Sequence, residues 1–382
     1  MDTDTGIYRE LQRYLDRLPS GFPAAASGLD IKLLQRFFTP EEAALAMQLS
    51  MKPEPLPRIY GRVRKNGMSL EELKRMLDRM LLKGTVLGFN EGYDETHYSN
   101  AEFTAGGIYN FQVDRLSPDL IQDYRRYLDE TRPKPALGMK RVMPLRTVPV
   151  AESIPLPEKY KVSNYDSVRK LIEEARGQIA VANCICRQSQ GILGEPCAKT
   201  DLHESCLLIG PDHARRHVDM GIARYISKEE ALGIIDRASR AGLVLQPENS
   251  QRPEAICCCC GDCCILLRMF ARHPRPVELY VTNYYAEVDP GLCTACEVCV
   301  EKCQLHARAM VDGVAVVNLD RCIGCGGCVV VCPSGANKLR NKEPEKVPAR
   351  DKVTFNMGNL ARRLGRWEMM KIRARMLLGL KV

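Results

Sequence analysis

Long hydrophobic runs are missing from this chain of 382 residues: no stretch approaches 18 consecutive apolar residues, which excludes a membrane-spanning helix. The start, Met-Asp-Thr-Asp-Thr-Gly, is acidic and polar and lacks the basic opening and apolar run of an export signal. No dinucleotide-binding turn is legible, because the glycine-rich run near the cysteines, "GCGGC", reads as a ligand loop. Net charge is nearly absent from the body. The +8 of the whole chain arises from Lys338 onward, where 13 Lys and Arg face 4 Asp and Glu, leaving −1 for residues 1–337. Together these absences point to a cytoplasmic protein.

What is abundant is cysteine, with 18 residues in a chain that is 45% hydrophobic. That length and composition support two or three ordinary cores, so disulfides are not needed in place of a core. In a reducing compartment such cysteines read first as metal ligands or redox groups. Thiolate-bound clusters would also make the true net charge more negative than the formal one.

The segment 1–130 is free of cysteine and shows helical patterning. In "TPEEAALAMQLS", Thr39 is placed as an N-cap with Pro40 at the first helical position. In "MSLEELKRMLDRMLLKGTV", Ser69 and Glu72 form a capping pattern, Leu70, Leu73, Leu77, Met80 and Leu81 make one apolar stripe, and Gly84 ends the helix. Strands are expected over 85–89 and around 107–113, which together suggest a winged-helix-like module. Its candidate recognition helix mixes Glu71, Glu72 and Asp78 with Lys74, Arg75 and Arg79. A groove-reading helix needs a net basic face, so a structural or partner-docking role is favoured over nucleic-acid binding.

Residues 131–160 hold six prolines and read as an extended linker or strap. The stretch 161–284 is expected to be a mixed α/β domain, with a helix over 167–176, a strand in "QIAVANC", and a helix capped by Ser227 and Glu230 and ended by Gly242. It carries ten cysteines, in "NCICRQSQGILGEPCAKTDLHESC" and in "CCCCGDCC" at 257–264. In an extended chain residues i and i+2 face the same way, so Cys184 and Cys186 can share a metal. The same alternation sends Cys257 and Cys259 to one side and Cys258 and Cys260 to the other, and Gly261 permits a turn that returns Cys263 and Cys264. The expected metal ligands are Cys184, Cys186, Cys197, Cys206, Cys257, Cys259, Cys260 and Cys263. They serve one or two additional [4Fe-4S] clusters, with zinc or thiol–disulfide chemistry as the alternatives. Arg187 follows the first pair and reads equally as a donor to cluster sulfides or a surface arginine. His203, His213 and His217 read as polar groups before they read as ligands.

From residue 293 the chain reads "CTACEVCVEKC", and from 322 "CIGCGGCVVVCP". Both are C-x2-C-x2-C-x3-C, offset throughout by 29 residues, and Val288 with Val317 and Ala307 with Ala336 keep the same offset. This internal repeat resembles the bacterial-type ferredoxin domain with two [4Fe-4S] clusters, over residues 285–340. The resemblance implies that one cluster takes Cys293, Cys296, Cys299 and Cys332 and the other Cys322, Cys325, Cys328 and Cys303, the fourth ligand crossing between halves. Gly324, Gly326 and Gly327 suit close backbone approach in the second loop. The first loop departs from the pattern with Thr294, Ala295, Glu297 and Val298, and Gln304 stands where the second half has Pro333. Glu297 should lower the potential of the adjacent cluster. With its helical N-terminal and cysteine-rich middle segments, the chain resembles larger 4Fe-4S dicluster-domain proteins of anaerobes.

The tail 341–382 includes "NLARRLGRWEMMKIRARMLLGLKV", with seven Lys and Arg and with Leu360, Leu364 and Trp367 at helical spacing. A basic amphipathic helix packs on its own protein, docks on a partner, or contacts an anionic membrane surface peripherally. The expectation is an α+β, oxygen-sensitive electron-transfer protein, an oxidoreductase subunit without its own substrate site that works with redox partner proteins. Two alternatives stand beside it: an iron–sulfur sensor whose N-terminal module binds DNA, and an enzyme binding substrate at an incompletely ligated middle cluster.

Overall fold

The computed structural model describes residues 3–131, 143–150, 166–377 and 381. Helices and sheets are mixed in an α+β arrangement, and the chain divides into two compact units. One comprises Met1–Pro133, Arg216–Ile222 and Asn356–Val382, the other Lys134–Arg215 and Ala223–Phe355.

The first unit begins with α1 (Thr3–Leu15), α2 (Leu29–Phe37) and α3 (Pro40–Ala46). Thr39 accepts from the Glu42 amide while the Glu42 carboxylate accepts from the Thr39 amide, so two otherwise orphaned donors start α3. After β1 (Glu54–Pro55) and α4 (Leu56–Val63), Ser69 and Glu72 repeat the device at the start of α5 (Leu70–Lys83). Gly84 ends α5 at φ +75°, where an added Cβ would stand 2.3 Å from that of Phe111. Leu73, Leu77 and Met80 face the core, whereas Leu70 is exposed.

The strands β2 (Val86–Phe89) and β3 (His97–Asn100) pair antiparallel, and β1 joins the far edge of β3. The expected second strand around 107–113 is instead a turn followed by 3₁₀ backbone at Asn110–Gln112. Its apolar residues do not alternate in and out: Ile108, Tyr109, Phe111 and Val113 are all buried, so the run fills a core and has no solvent face to present. Helix α6 (Pro118–Thr131) closes this part, with Tyr109 stacked on Tyr124 at 4.0 Å between ring centroids.

The second unit is built on a five-stranded antiparallel sheet, ordered β6-β4-β5-β8-β7. Its elements in chain order are α7 (Val168–Glu173), β4 (Ile179–Asn183), α8 (Ile185–Ile192), β5 (Glu204–Leu208), the start of α9 (Pro211–Asp219), whose residues from Arg216 belong to the first unit, β6 (Arg224–Ile226), α10 (Lys228–Arg240), β7 (Val244–Pro247), β8 (Ala255–Cys259) and α11 (Ile265–Ala271). Ser227 caps α10 as expected, but the Glu230 side chain turns to Arg224 instead of closing the box. One sheet face packs Val181, Leu207, Leu245 and Ile256 with Leu171, Ile172 and Ile234 from α7 and α10. A second apolar cluster gathers Val244, Leu267, Phe270, Tyr280, Leu305 and Ile323.

Of the proline-rich stretch, residues 143–150 are described, and 132–142 and 151–165 lie outside the described residues. The described part runs along the outer edge of β7, where the Val148 amide donates to Leu245 O at 3.1 Å. It thereby covers backbone groups that an edge strand would otherwise expose.

The last part of this unit is a duplicated hairpin-and-turn structure. It holds β9 (Tyr284–Val288), α12 (Val298–Glu301), β10 (Arg308–Val311), β11 (Val314–Val317), α13 (Gly327–Val330) and β12 (Asn337–Asn341). Adding 29 to α12 gives α13, and the strands follow the same offset. β9 pairs with β12 and β10 with β11, so each half lends a strand to the other.

The tail forms α14 (Lys352–Leu377), interrupted at Gly365, whose φ of 79° and ψ of 174° are not helical. That break takes Trp367 out of register with Leu360: Leu360 is buried and Trp367 is 69% exposed. Arg363 donates to the carbonyls of Asp16 at 2.8 Å, Pro19 at 3.3 Å and Leu18, so the tail packs on α1 and the turn after it. Among the described residues no helix is long and apolar enough to cross a membrane.

Arg146 is 2% exposed and ties three segments together. It pairs with Asp166 at 3.3 Å and donates to the carbonyls of Glu248 at 2.7 Å and Ser250 at 2.6 Å. Burial raises the Asp166 carboxyl above its usual range, outweighing Asn283 and Arg146, which pull it down. The folded protein therefore keeps a proton that the unfolded chain has released, so stability falls as pH rises from about 4 through the raised value. Arg146→Ala is expected to cost about 3–5 kcal/mol by leaving a buried carboxylate unpaired. Asp166→Asn should flatten this part of the pH dependence of thermal unfolding.

Candidate cysteine metal centres

In the duplicated part, two hollows open between the halves. One is lined by Cys293, Cys296, Cys299 and Cys332, with Met310, Ala315 and Ala336. The other is lined by Cys322, Cys325, Cys328 and Cys303, with Leu305, Ala307 and Ile323. Each set of four thus draws three sulfurs from one loop and one from the other half.

The backbone explains how both loops close. Ala295 and Glu297 have φ of +55° and +60°, and their counterparts Gly324 and Gly326 have +63° and +77°; His306 at +52° matches Gly335 at +67°. The left-handed turns are retained where the first half has side chains and the second has glycine. For an L-residue this conformation costs roughly 1–2 kcal/mol. At Gly324 glycine is also required sterically, because a Cβ would lie 2.2 Å from Tyr284 O.

Backbone amides point at the sulfurs. Ala307 N donates to Cys303 Sγ at 3.1 Å, Ala286 N to Cys322 Sγ at 3.4 Å and Ala315 N to Cys293 Sγ at 3.5 Å. The Arg308 guanidinium donates to Cys328 Sγ at 2.8 Å. Burial pushes the Cys328 thiol up to about 11 despite Arg308, and pushes Cys303 and Cys325 up as well. Cys332 is also raised by burial, but amide and side-chain donors from Asn337 and Ser334 outweigh this and bring it down to about 7. Four soft sulfur donors around each hollow and amides aimed at sulfur fit an iron–sulfur cluster.

The ten middle cysteines separate into distinct groups. Cys206 on β5 lies opposite Cys257 on β8 in the sheet. From there a row of neighbouring, electrostatically coupled sulfurs runs Cys206, Cys257, Cys259, Cys264, Cys186, Cys184. Cys257 and Cys264 are held low because each accepts from two neighbouring thiols, Cys264 at about 5. Cys206 and Cys259 are raised by donating to those two, and Cys184 by donating to Cys186.

Cys184 and Cys186 meet differently from the extended-chain expectation. Cys184 is the N-cap of α8 and Cys186 lies in its first turn, just as Cys264 is the N-cap of α11. Helix starts, not strand alternation, aim these sulfurs. Cys258 faces the opposite side of β8, where burial raises its thiol to about 12. Cys197, Cys260 and Cys263 stand apart from the row, together with Asp262.

Arg187 is 3% exposed. It donates to Leu202 O, to Ser205 Oγ and to Cys258 O, and also contacts Cys260, so it is a buried tie between α8 and the cysteine strand. His217 meets Asn110 at 3.2 Å and packs on Phe111 within the first unit. Sequence reasoning missed Cys264, whose place at a helix start had no ordinary capping signal. It also missed Gln304, whose side chain accepts from Gly261 N at 2.7 Å and donates to Gly242 O at 2.9 Å. The departure from proline at 304 was the visible trace of that contact.

The family described as 4Fe-4S dicluster domain matches residues 285–346. A ferredoxin of Methanocaldococcus jannaschii is 32% identical over 108 residues, 27% of this chain and 61% of that protein. A tetrathionate reductase subunit of Archaeoglobus fulgidus is 34% identical over 91 residues, 23% of this chain and 42% of that protein. Ferredoxin-1 of Rhodobacter capsulatus is 40% identical over 52 residues, 12% of this chain and 80% of that protein. The chain spans less than two thirds of the length of the first two. No solved structure matches it.

The two loops predict opposite responses at equivalent positions. Gly324→Ala should destabilise by about 3 kcal/mol through a left-handed methyl pressed on Tyr284 O. Ala295→Gly should change stability by no more than about 1 kcal/mol, lost strain offsetting added chain entropy. Anaerobic thermal unfolding of both variants, with iron content, checks this.

Proposed function

Through residues 285–346 the chain belongs to the 4Fe-4S dicluster ferredoxins, and from that premise we propose that it is a multi-centre one-electron carrier serving a larger oxidoreductase. In this reading Cys293, Cys296, Cys299 and Cys332 hold one cluster, and Cys322, Cys325, Cys328 and Cys303 the other. The row Cys184, Cys186, Cys206, Cys257, Cys259 and Cys264 holds at least one further iron–sulfur centre. When bound, a [4Fe-4S] cluster accepts and returns a single electron at nearly fixed geometry.

The observation that carries this reading is one shared apolar cluster. Cys259 and Cys264 are buried in it together with Leu305 and Ile323, and Cys257 and Cys325 pack against it. The row and the second hollow thus lie on the same dry contact surface. Gln304, next to Cys303, adds a hydrogen bond to Gly261 within "CCCCGDCC". Cys296 is exposed and Cys184, Cys186 and Cys206 are partly exposed, so both ends of this series are open to a partner.

The side chains set the direction of electron flow. Amides point at sulfurs of both hollows, but the Arg308 guanidinium favours the added negative charge at the second, whereas Glu297 disfavours it at the first. The winged-helix-like N-terminal module acts in this proposal as a docking element. Several of its charges pair with one another, among them Lys74 with Asp78 at 2.8 Å and Lys83 with Glu42 at 2.6 Å, which supports protein docking over phosphate binding. The likeness to a subunit of a tetrathionate reductase supports placing the chain between a donor and a catalytic partner.

Anaerobically reconstituted protein should contain about twelve or more iron with matching sulfide, and Cys184→Ser with Cys186→Ser should remove about four of each. Unchanged iron and sulfide in that double variant would sink the third centre. Glu297→Gln should raise one potential and Arg308→Leu lower the other. A change of about 1 kcal/mol corresponds to on the order of 40 mV for one electron, resolvable by an EPR-monitored redox titration.

A further inference from the structure

Cys197, Cys260, Asp262 and Cys263 form the tightest potential ligand set among the described residues. One ligand atom from each lies within 4.8 Å of all the others. Cys197 Sγ is 3.6 Å from Cys260 Sγ and 3.7 Å from Asp262 Oδ1. Two sulfurs on a tetrahedral zinc with bonds of about 2.3 Å stand about 3.8 Å apart, and a sulfur and a carboxylate oxygen stand slightly closer. The corners of a cubane are held apart by the width of the cluster, so four donors this close suit a single ion.

We propose that Cys197, Cys260, Cys263 and Asp262 bind one zinc ion, separate from the row of six thiols and from both ferredoxin hollows. The local structure is arranged for it. The Asp262 Oδ2 accepts from Ala198 N at 2.8 Å, which orients the carboxylate and leaves Oδ1 toward the sulfurs. Cys260 and Cys263 are buried, and Cys197 is partly exposed on the loop between α8 and β5, giving the ion an entry side. Gly261 is fixed by Gln304, with Gln304 O only 2.4 Å from where a Cβ would be, so the turn that presents Cys260, Asp262 and Cys263 admits no side chain at that position.

Charge also fits. Three thiolates and a carboxylate around a divalent ion leave two negative charges, and the buried Arg187 guanidinium contacts Cys260. The ion's role is a clip: it fastens the loop that follows α8 to the turn after β8, which carries Cys260, Asp262 and Cys263. The proposal goes beyond the electron-transfer reading and does not depend on it, since the ion neither gains nor loses an electron.

Zinc, iron and acid-labile sulfide are measured on the anaerobically isolated full chain and on Cys197→Ser and Asp262→Ala. One zinc per chain is expected in the parent, falling to near none in either variant with iron and sulfide unchanged. Because a variant can fail to fold, X-ray absorption at the zinc edge of the unaltered chain supplies an independent test. It should show three sulfurs near 2.3 Å and one oxygen near 2.0 Å. Iron and sulfide falling together in Cys197→Ser would assign these residues to a cluster and overturn the proposal. So would absence of zinc from the parent, iron without sulfide at this site, or four sulfurs around the zinc. Loss of iron in the Cys184→Ser, Cys186→Ser protein with zinc retained would uphold both readings separately, whereas retention of both metals there would remove only the third cluster.

Discussion

The cysteine chemistry of this protein rests on the pleat of one short strand. Successive side chains of β8 leave opposite faces of the sheet, so consecutive cysteines cannot serve one centre. Cys257 and Cys259 enter the row with Cys206, Cys258 faces the α7 and α10 side, and Cys260 joins Cys197 and Cys263. Gly261 then turns the chain, and Cys264 starts a helix that returns to the row. A packed run of thiols is thereby sorted into different environments by backbone geometry alone. Moving the strand by one residue would exchange the faces of every cysteine in it.

The duplicated half shows the complementary case, where the backbone is kept and the chemistry diverges. Three left-handed positions recur at the 29-residue offset, although the first half pays for them with Ala295, Glu297 and His306. Retaining the turn keeps the sulfurs of both loops aimed inward. Substituting the side chains leaves the two environments unequal, with an acid beside one hollow and a guanidinium on a sulfur of the other. Gln304 belongs to the same divergence, because the residue that replaces proline reaches into the middle domain.

Much of this was legible in the sequence. The eight cysteines of the repeat could be named because ligand spacing within a loop is local, and the helices begun by Thr39, Ser69 and Ser227 were legible because caps are local too. The run 107–113 misled because a buried 3₁₀ turn and a strand share the same apolar composition. Cys184 and Cys186 suggested an extended chain because cysteine is not a recognised helix cap. Arg187 gave no sign of burial, since its three carbonyl and hydroxyl partners lie 15 to 71 residues away. Asp262 was hidden for a similar reason, its sulfur partner Cys197 lying 65 residues upstream.

The first unit is assembled from three separated stretches, and the last of them begins at Asn356. A chain made from the N-terminus exposes α1 and the turn after it more than three hundred residues before Arg363 arrives to bind the carbonyls of Asp16 and Pro19. The second unit, whose residues end at Phe355, has all its cysteines synthesised before then. Order of synthesis therefore leaves the first unit without the stretch that carries Arg363 until every cysteine of the second has been made. Arg363 acts as a late fastener, made more than three hundred residues after the carbonyls it binds.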